Sequence, residues 1–82
     1  MEHPLLNERR VIPVDCREMQ APEPMIAVLE AVSGMQENEA VLMLHRQKPI
    51  HLFPKLEDSG LCYELEEEED GSIQLLIWQE SS

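Results

Sequence analysis

Side chains able to do chemistry are few in this chain of 82 residues. There are two cysteines, Cys16 and Cys62, and three histidines, His3, His45 and His51. One short run places an acid, a thiol and a guanidinium side by side, Asp15-Cys16-Arg17, and Pro22-Glu23-Pro24 follows closely. A thiol beside a cation is drawn toward the nucleophilic thiolate, so Cys16 next to Arg17 is the candidate for sulfur chemistry. The opposing reading is an ordinary small hydrophobe, because neighbouring residues of a strand point to opposite faces. Asp15 and Arg17 either pair with one another or present the Arg17 fork to an anion or a partner's backbone at a helix start. Pro22 and Pro24 suit the first turn of that helix. His45, Arg46, Lys48 and His51 form a basic cluster suited to partner contact. Metal binding there lacks a third ligand, and no metal or cofactor is expected. Cys62 alternates with apolar neighbours and carries no expected role. No nucleophile accompanies the histidines in a triad pattern, so the chain does not read as an enzyme.

These residues are positioned by elements that the hydrophobic pattern predicts. Residues 9–15 alternate around Val11, Ile12 and Val14 as a first strand. Met25, Val28, Leu29, Val32 and Met35 recur at the spacing of an amphipathic helix. Gly34 stands where a left-handed end is expected. The continuous apolar run 40–44 suits a strand covered on both faces. A helix distorted by Pro54 is expected from Pro49 to Gly60. Leu61, Tyr63 and Leu65 alternate as a third strand, Asp70-Gly71 marks a hairpin turn, and Ile73, Leu75 and Ile77 line a fourth. The expected fold class is α+β, a two-layer sandwich of order β-α-β-α-β-β with a four-stranded mixed sheet. Residues 1–8 are expected to be a flexible N-terminus and 9–80 a single domain. Two helices cover one face only, so Leu76 and Trp78 point the other way. That open face is expected either to join a homodimer or partner, or to be crossed by the N-terminal segment with Leu5 and Leu6.

The run from Asp15 to Pro24 resembles the signature of the TusA/SirA family of small sulfur carriers, D-x-R-G-x-x-C-P-x-P. Asp15, Arg17, Pro22 and Pro24 match it, while Glu18 replaces the glycine and Ala21 the cysteine. The resemblance implies a sheet order of 1-2-4-3 over about residues 9–80. In that family the cysteine carries a persulfide, which the methyl group of Ala21 cannot do. The chain is more similar to the DUF2249 group, which keeps the aspartate, arginine and prolines without the cysteine, and in which His45 to Leu52 resembles the segment after the second strand. That resemblance implies no assigned activity.

Composition narrows the partners. Six Lys and Arg stand against 17 Asp and Glu, a net charge of −11. Nucleic acid and anionic membrane surfaces both demand a basic face, so neither is expected. Residues 57–82 hold nine acids and no base, and six of the seven residues 64–70 are acidic. This run suits a solvated hairpin that discourages edge pairing, or a surface for a basic partner. No apolar run is long enough to span a bilayer. The opening Met1-Glu2-His3-Pro4 lacks the pattern of a secretory leader, so the expected compartment is the cytoplasm. Two cysteines are too few for a disulfide framework or a four-thiolate zinc site. The sequence therefore reads as a non-catalytic binding or accessory module acting through protein–protein contacts. Its contact candidates are Asp15, Arg17, Pro22, Glu23, Pro24, His45, Arg46, Lys48, His51 and Trp78. The alternative is a sulfur carrier that uses Cys16 in place of the cysteine replaced by Ala21.

Overall fold

A computed structural model describes residues 2–80. Seven elements follow in order: α1 (Leu5–Glu8), β1 (Arg10–Asp15), α2 (Glu23–Ser33), β2 (Glu39–His45), α3 (Leu52–Asp58), β3 (Leu61–Glu67) and β4 (Ile73–Gln79). The sheet order is β1-β2-β4-β3, with β1 and β2 parallel and the other two pairs antiparallel. The α+β class and the mixed four-stranded sheet are those expected from the sequence pattern, and the 1-2-4-3 order is the one the family resemblance implies.

The core lies between the sheet and the pair α2 and α3. From α2 come Val28 and Val32, from β2 Val41 and Met43, from α3 Leu52 and Leu56, and from β4 Leu75 and Ile77. Leu56 is fully buried, and truncating it to alanine would cost about 2–5 kcal/mol. Phe53 and Tyr63 stack at the margin, with ring centroids 5.0 Å apart.

Three local features differ from expectation. The segment expected as a flexible N-terminus contains the four-residue helix α1. The His3 Nδ1 accepts the Leu5 N–H at 3.1 Å, satisfying a donor that the helix start leaves free. Helix α3 begins three residues after Pro49. Pro54 is then its third residue, inside the first turn, where a missing N–H breaks no helical bond. Gly34 ends α2 at φ −96°, on the right-handed side, so the expected left-handed end does not occur there. The left-handed glycines are Gly60 at +73° and Gly71 at +89°, both at turns entering or joining the last two strands.

Helices α2 and α3 leave the second sheet face to other residues. Leu42, Leu76 and Glu64 face one another across that side by strand register. Leu76 is fully buried. The His3 ring lies 5.1 Å from the Trp78 ring, and its Nε2 is 2.9 Å from a Glu64 carboxylate oxygen. Arg9 Nη1 donates to the Gln79 carbonyl at 2.9 Å. Thus the N-terminal segment crosses this face, one of the two arrangements expected for it. Among the described residues no helix is long and apolar enough to cross a membrane.

Candidate functional site

Parallel pairing of β1 with β2 brings the ends of both strands to the start of α2. Asp15 closes β1, and the Cys16 N–H extends the pairing by donating to the Leu44 carbonyl at 2.7 Å. The chain then turns. The Cys16 carbonyl accepts the Met19 N–H at 3.1 Å, and the Gln20 carbonyl accepts the Glu23 N–H at 2.9 Å. The Ala21–Pro22 peptide bond is cis. Helix α2 follows with Pro22 at its cap position, Pro24 in the first turn and no side-chain cap. Pro24 is buried, whereas Pro22 and Glu23 are exposed.

Asp15 and Arg17 engage each other. Arg17 Nε donates to Asp15 Oδ1 at 2.9 Å and Nη2 to Oδ2 at 2.8 Å, while the Arg17 backbone N–H reaches Oδ1 at 3.1 Å. The Arg17 side-chain hydrogen bonds hold the Asp15 carboxyl down to about 2, and the pair raises the guanidinium in turn. The fork of Arg17 is therefore directed at Asp15.

Cys16 is fully buried within the core. Its thiol is pushed up, first by burial and then by the negative charge of Asp15. The Arg17 side chain, expected from sequence to favour thiolate, is bound to Asp15. Cys62 is a half-buried free thiol on β3.

The basic cluster separates in space. His45, the last residue of β2, is only 7% exposed, and its Nδ1 lies 3.1 Å from the Cys16 carbonyl oxygen. A carbonyl accepts only, so Nδ1 carries the hydrogen and donates. Arg46 is exposed. Lys48 forms an ion pair with Glu67. His51 stands exposed at the cap position of α3 without a side-chain cap bond. Trp78 lies on the far side of the sheet from His45, so the candidate residues do not share one surface.

A cleft of about 370 Å³ opens where the two strand ends meet the turn before α2, lined by Met19, Gln20, Ala21, His45, Arg46 and Gln47. Ala21, the residue that the sulfur-carrier resemblance sets opposite a cysteine, is in this lining. Sequence reasoning singled out His45 and Arg46 but not Met19, Gln20 or Gln47, which bear no charge or nucleophile. The available signal was parity. Val41, Met43 and His45 alternate on one face of β2, which placed His45 with the core. Among the described residues no three His, Cys, Asp or Glu side chains gather as metal ligands.

Comparison with known proteins gives one family. The profile described as Uncharacterized conserved protein (DUF2249) matches residues 13–79. No curated protein and no solved structure matches the chain.

Proposed function

With the chain belonging to the DUF2249 family, we infer that it is a binding or accessory module of TusA-like fold that works through contacts rather than covalent chemistry. The observation that carries this reading is the pairing of an open cleft at the α2 start with the absence of a thiol facing it. Ala21 lines the cleft, and Cys16 is enclosed in the core. The sulfur-relay alternative needs Cys16 as an exposed thiolate, and burial opposes both exposure and ionisation.

The end of the molecule around the cleft also offers what a partner surface needs. Ile26 on α2 and Ile50 before α3 are 50% and 63% exposed, the large apolar side chains most open to solvent. Arg46 stands free of any carboxylate partner among the described residues. Apolar anchors with an unpaired arginine are the composition of interaction surfaces.

The test is a partner capture that is then rebuilt from purified components. Full-length chain and the double variant Arg46→Glu/Ile50→Glu are used in parallel. A defined protein is expected to bind the wild type with a measurable Kd and to lose most of its affinity for the variant. Binding that is unaffected by both substitutions would contradict it.

A further inference from the structure

The outer edges of the sheet, β1 and β3, are not finished alike. On β1 the Arg10 and Cys16 N–H groups both donate toward the β2 side, to the Asn38 and Leu44 carbonyls. Backbone direction alternates along a strand, so Val11, Pro13 and Asp15 are the residues turned outward. Pro13 has no N–H to offer there, which closes that edge to a further strand. On β3 the hairpin sets the phase, because the Glu68 N–H donates to the Ser72 carbonyl at 2.8 Å. Hydrogen-bonded pairs of an antiparallel ladder recur at every second residue. By the register with β4, these pairs fall at Glu66, Glu64 and Cys62. The backbone of Leu61, Tyr63, Leu65 and Glu67 therefore turns outward, and no described strand pairs with that side. Strand β3 contains no proline.

The side chains along this open edge sort by face. Leu61, Tyr63 and Leu65 pack at the margin of the core, while Cys62, Glu64 and Glu66 lie on the other face by alternation. Glu64, Glu66 and Glu67 are exposed. Two basic side chains of the chain itself already reach this strand: His3 Nε2 lies 2.9 Å from Glu64, and Lys48 pairs with Glu67. Six of the seven residues 64–70 are acidic and residues 57–82 hold no base, so negative charge stays in excess. That charge repels a second copy of the same edge and favours a strand of the opposite sign.

We propose that the β3 edge takes up an extended basic segment of a partner protein as a fifth strand of the sheet. Main-chain hydrogen bonds to Leu61, Tyr63, Leu65 and Glu67 hold the added strand. Its basic side chains stand beside Glu64 and Glu66, and its apolar ones beside Leu61, Tyr63 and Leu65. The fitting sequence therefore alternates basic and apolar residues. This surface uses none of Ile26, Arg46 and Ile50, and it stands or falls separately from the contact reading above.

The probe is a heptapeptide with blocked ends that alternates Lys and Val, titrated into the full chain and followed by backbone amide resonances and hydrogen exchange. Saturating shifts centred on residues 61–67 are expected. Exchange should slow by about tenfold or more at Leu61, Tyr63, Leu65 and Glu67, whose amides gain a partner, and change little at Cys62, Glu64 and Glu66, which already bond to β4. Two further peptides keep the charge and the order but carry N-methyl groups on the lysines alone or on the valines alone. One of the two has its β3-facing edge blocked, and that one should bind about tenfold or more weaker. Glu66→Lys, at an exposed position, should weaken the unmethylated peptide by about fivefold. Arg46→Glu/Ile50→Glu should not weaken it. Equal binding by all three peptides would mean that charge alone draws them to the chain, and would overturn the proposal. So would the lack of saturation, saturating shifts centred outside 61–67, an unchanged affinity in Glu66→Lys, or a lost affinity in Arg46→Glu/Ile50→Glu.

Discussion

Asp15 and Arg17 show how one local pair settles what the strand end offers to solvent. Three hydrogen bonds from Arg17 hold the Asp15 carboxylate, and both side chains remain exposed. Such a pair fixes the turn more than it stabilises the fold. The sign of its pH dependence follows from the lowered carboxyl. The folded value of about 2 lies below the ordinary 3.8. The pair's contribution is therefore complete above the ordinary value and is lost as pH falls through about 2. Replacing Arg17 with alanine should return the Asp15 carboxyl midpoint toward 3.8, followed by carboxyl-carbon resonance. A midpoint that stays near 2 would mean that the backbone, not the guanidinium, holds the acid. The sequence placed these two residues together correctly because they are two apart at a strand end. It could not tell whether the Arg17 fork faced Asp15 or an incoming ligand, since that choice depends on the turn through Met19. For Cys16 the sequence left both faces open, and its burial follows from its sharing a face with Ile12 and Val14, both packed on the core.

Among the elements, the strands were the most legible. Alternation in β3 and β4 marked which residues face the helices, and the register bears this out: Tyr63 pairs with Ile77 and Leu65 with Leu75. The span of α2 followed from the spacing of Met25 to Met35. Helix α1 was not legible, because four residues contain barely one turn and show no period. Its place is set by tertiary contacts, with His3 against Trp78 and Glu64. Trp78 is the only tryptophan, so its emission reports this contact alone. Removal of residues 1–8 should shift that emission to longer wavelength as water reaches the ring, and should expose the apolar strip around Leu76 to self-association. Unchanged emission and an unchanged sedimentation profile would show that the segment does not cover the face in solution.

At the scale of the whole molecule, charge is the dominant feature. Seventeen acids oppose six bases, and nine of the acids fall in residues 57–82 with no base among them. Only Lys48 and Arg17 among the cations are held by carboxylates in the described ion pairs. Six of these acids occupy the β3 edge and the hairpin, where they discourage further strand pairing, while exposed Pro13 does the same on the β1 edge. The cost is self-repulsion in the compact state. Thermal stability should therefore rise between low salt and about 0.15 M sodium chloride, as repulsion over distances near the screening length of about 8 Å is damped. A fall in Tm over that range would mean that the few attractive pairs outweigh the repulsion.

Under the proposed binding role the thiol of Cys16, sealed in the core, carries no sulfur. The direct measurement is intact mass after incubation of the folded chain with a cysteine desulfurase and cysteine, without reductant, beside Cys16→Ala and Cys62→Ala. No gain of sulfur on Cys16 is expected. A gain of one sulfur that disappears in Cys16→Ala and persists in Cys62→Ala would contradict it and make the protein a displaced sulfur carrier.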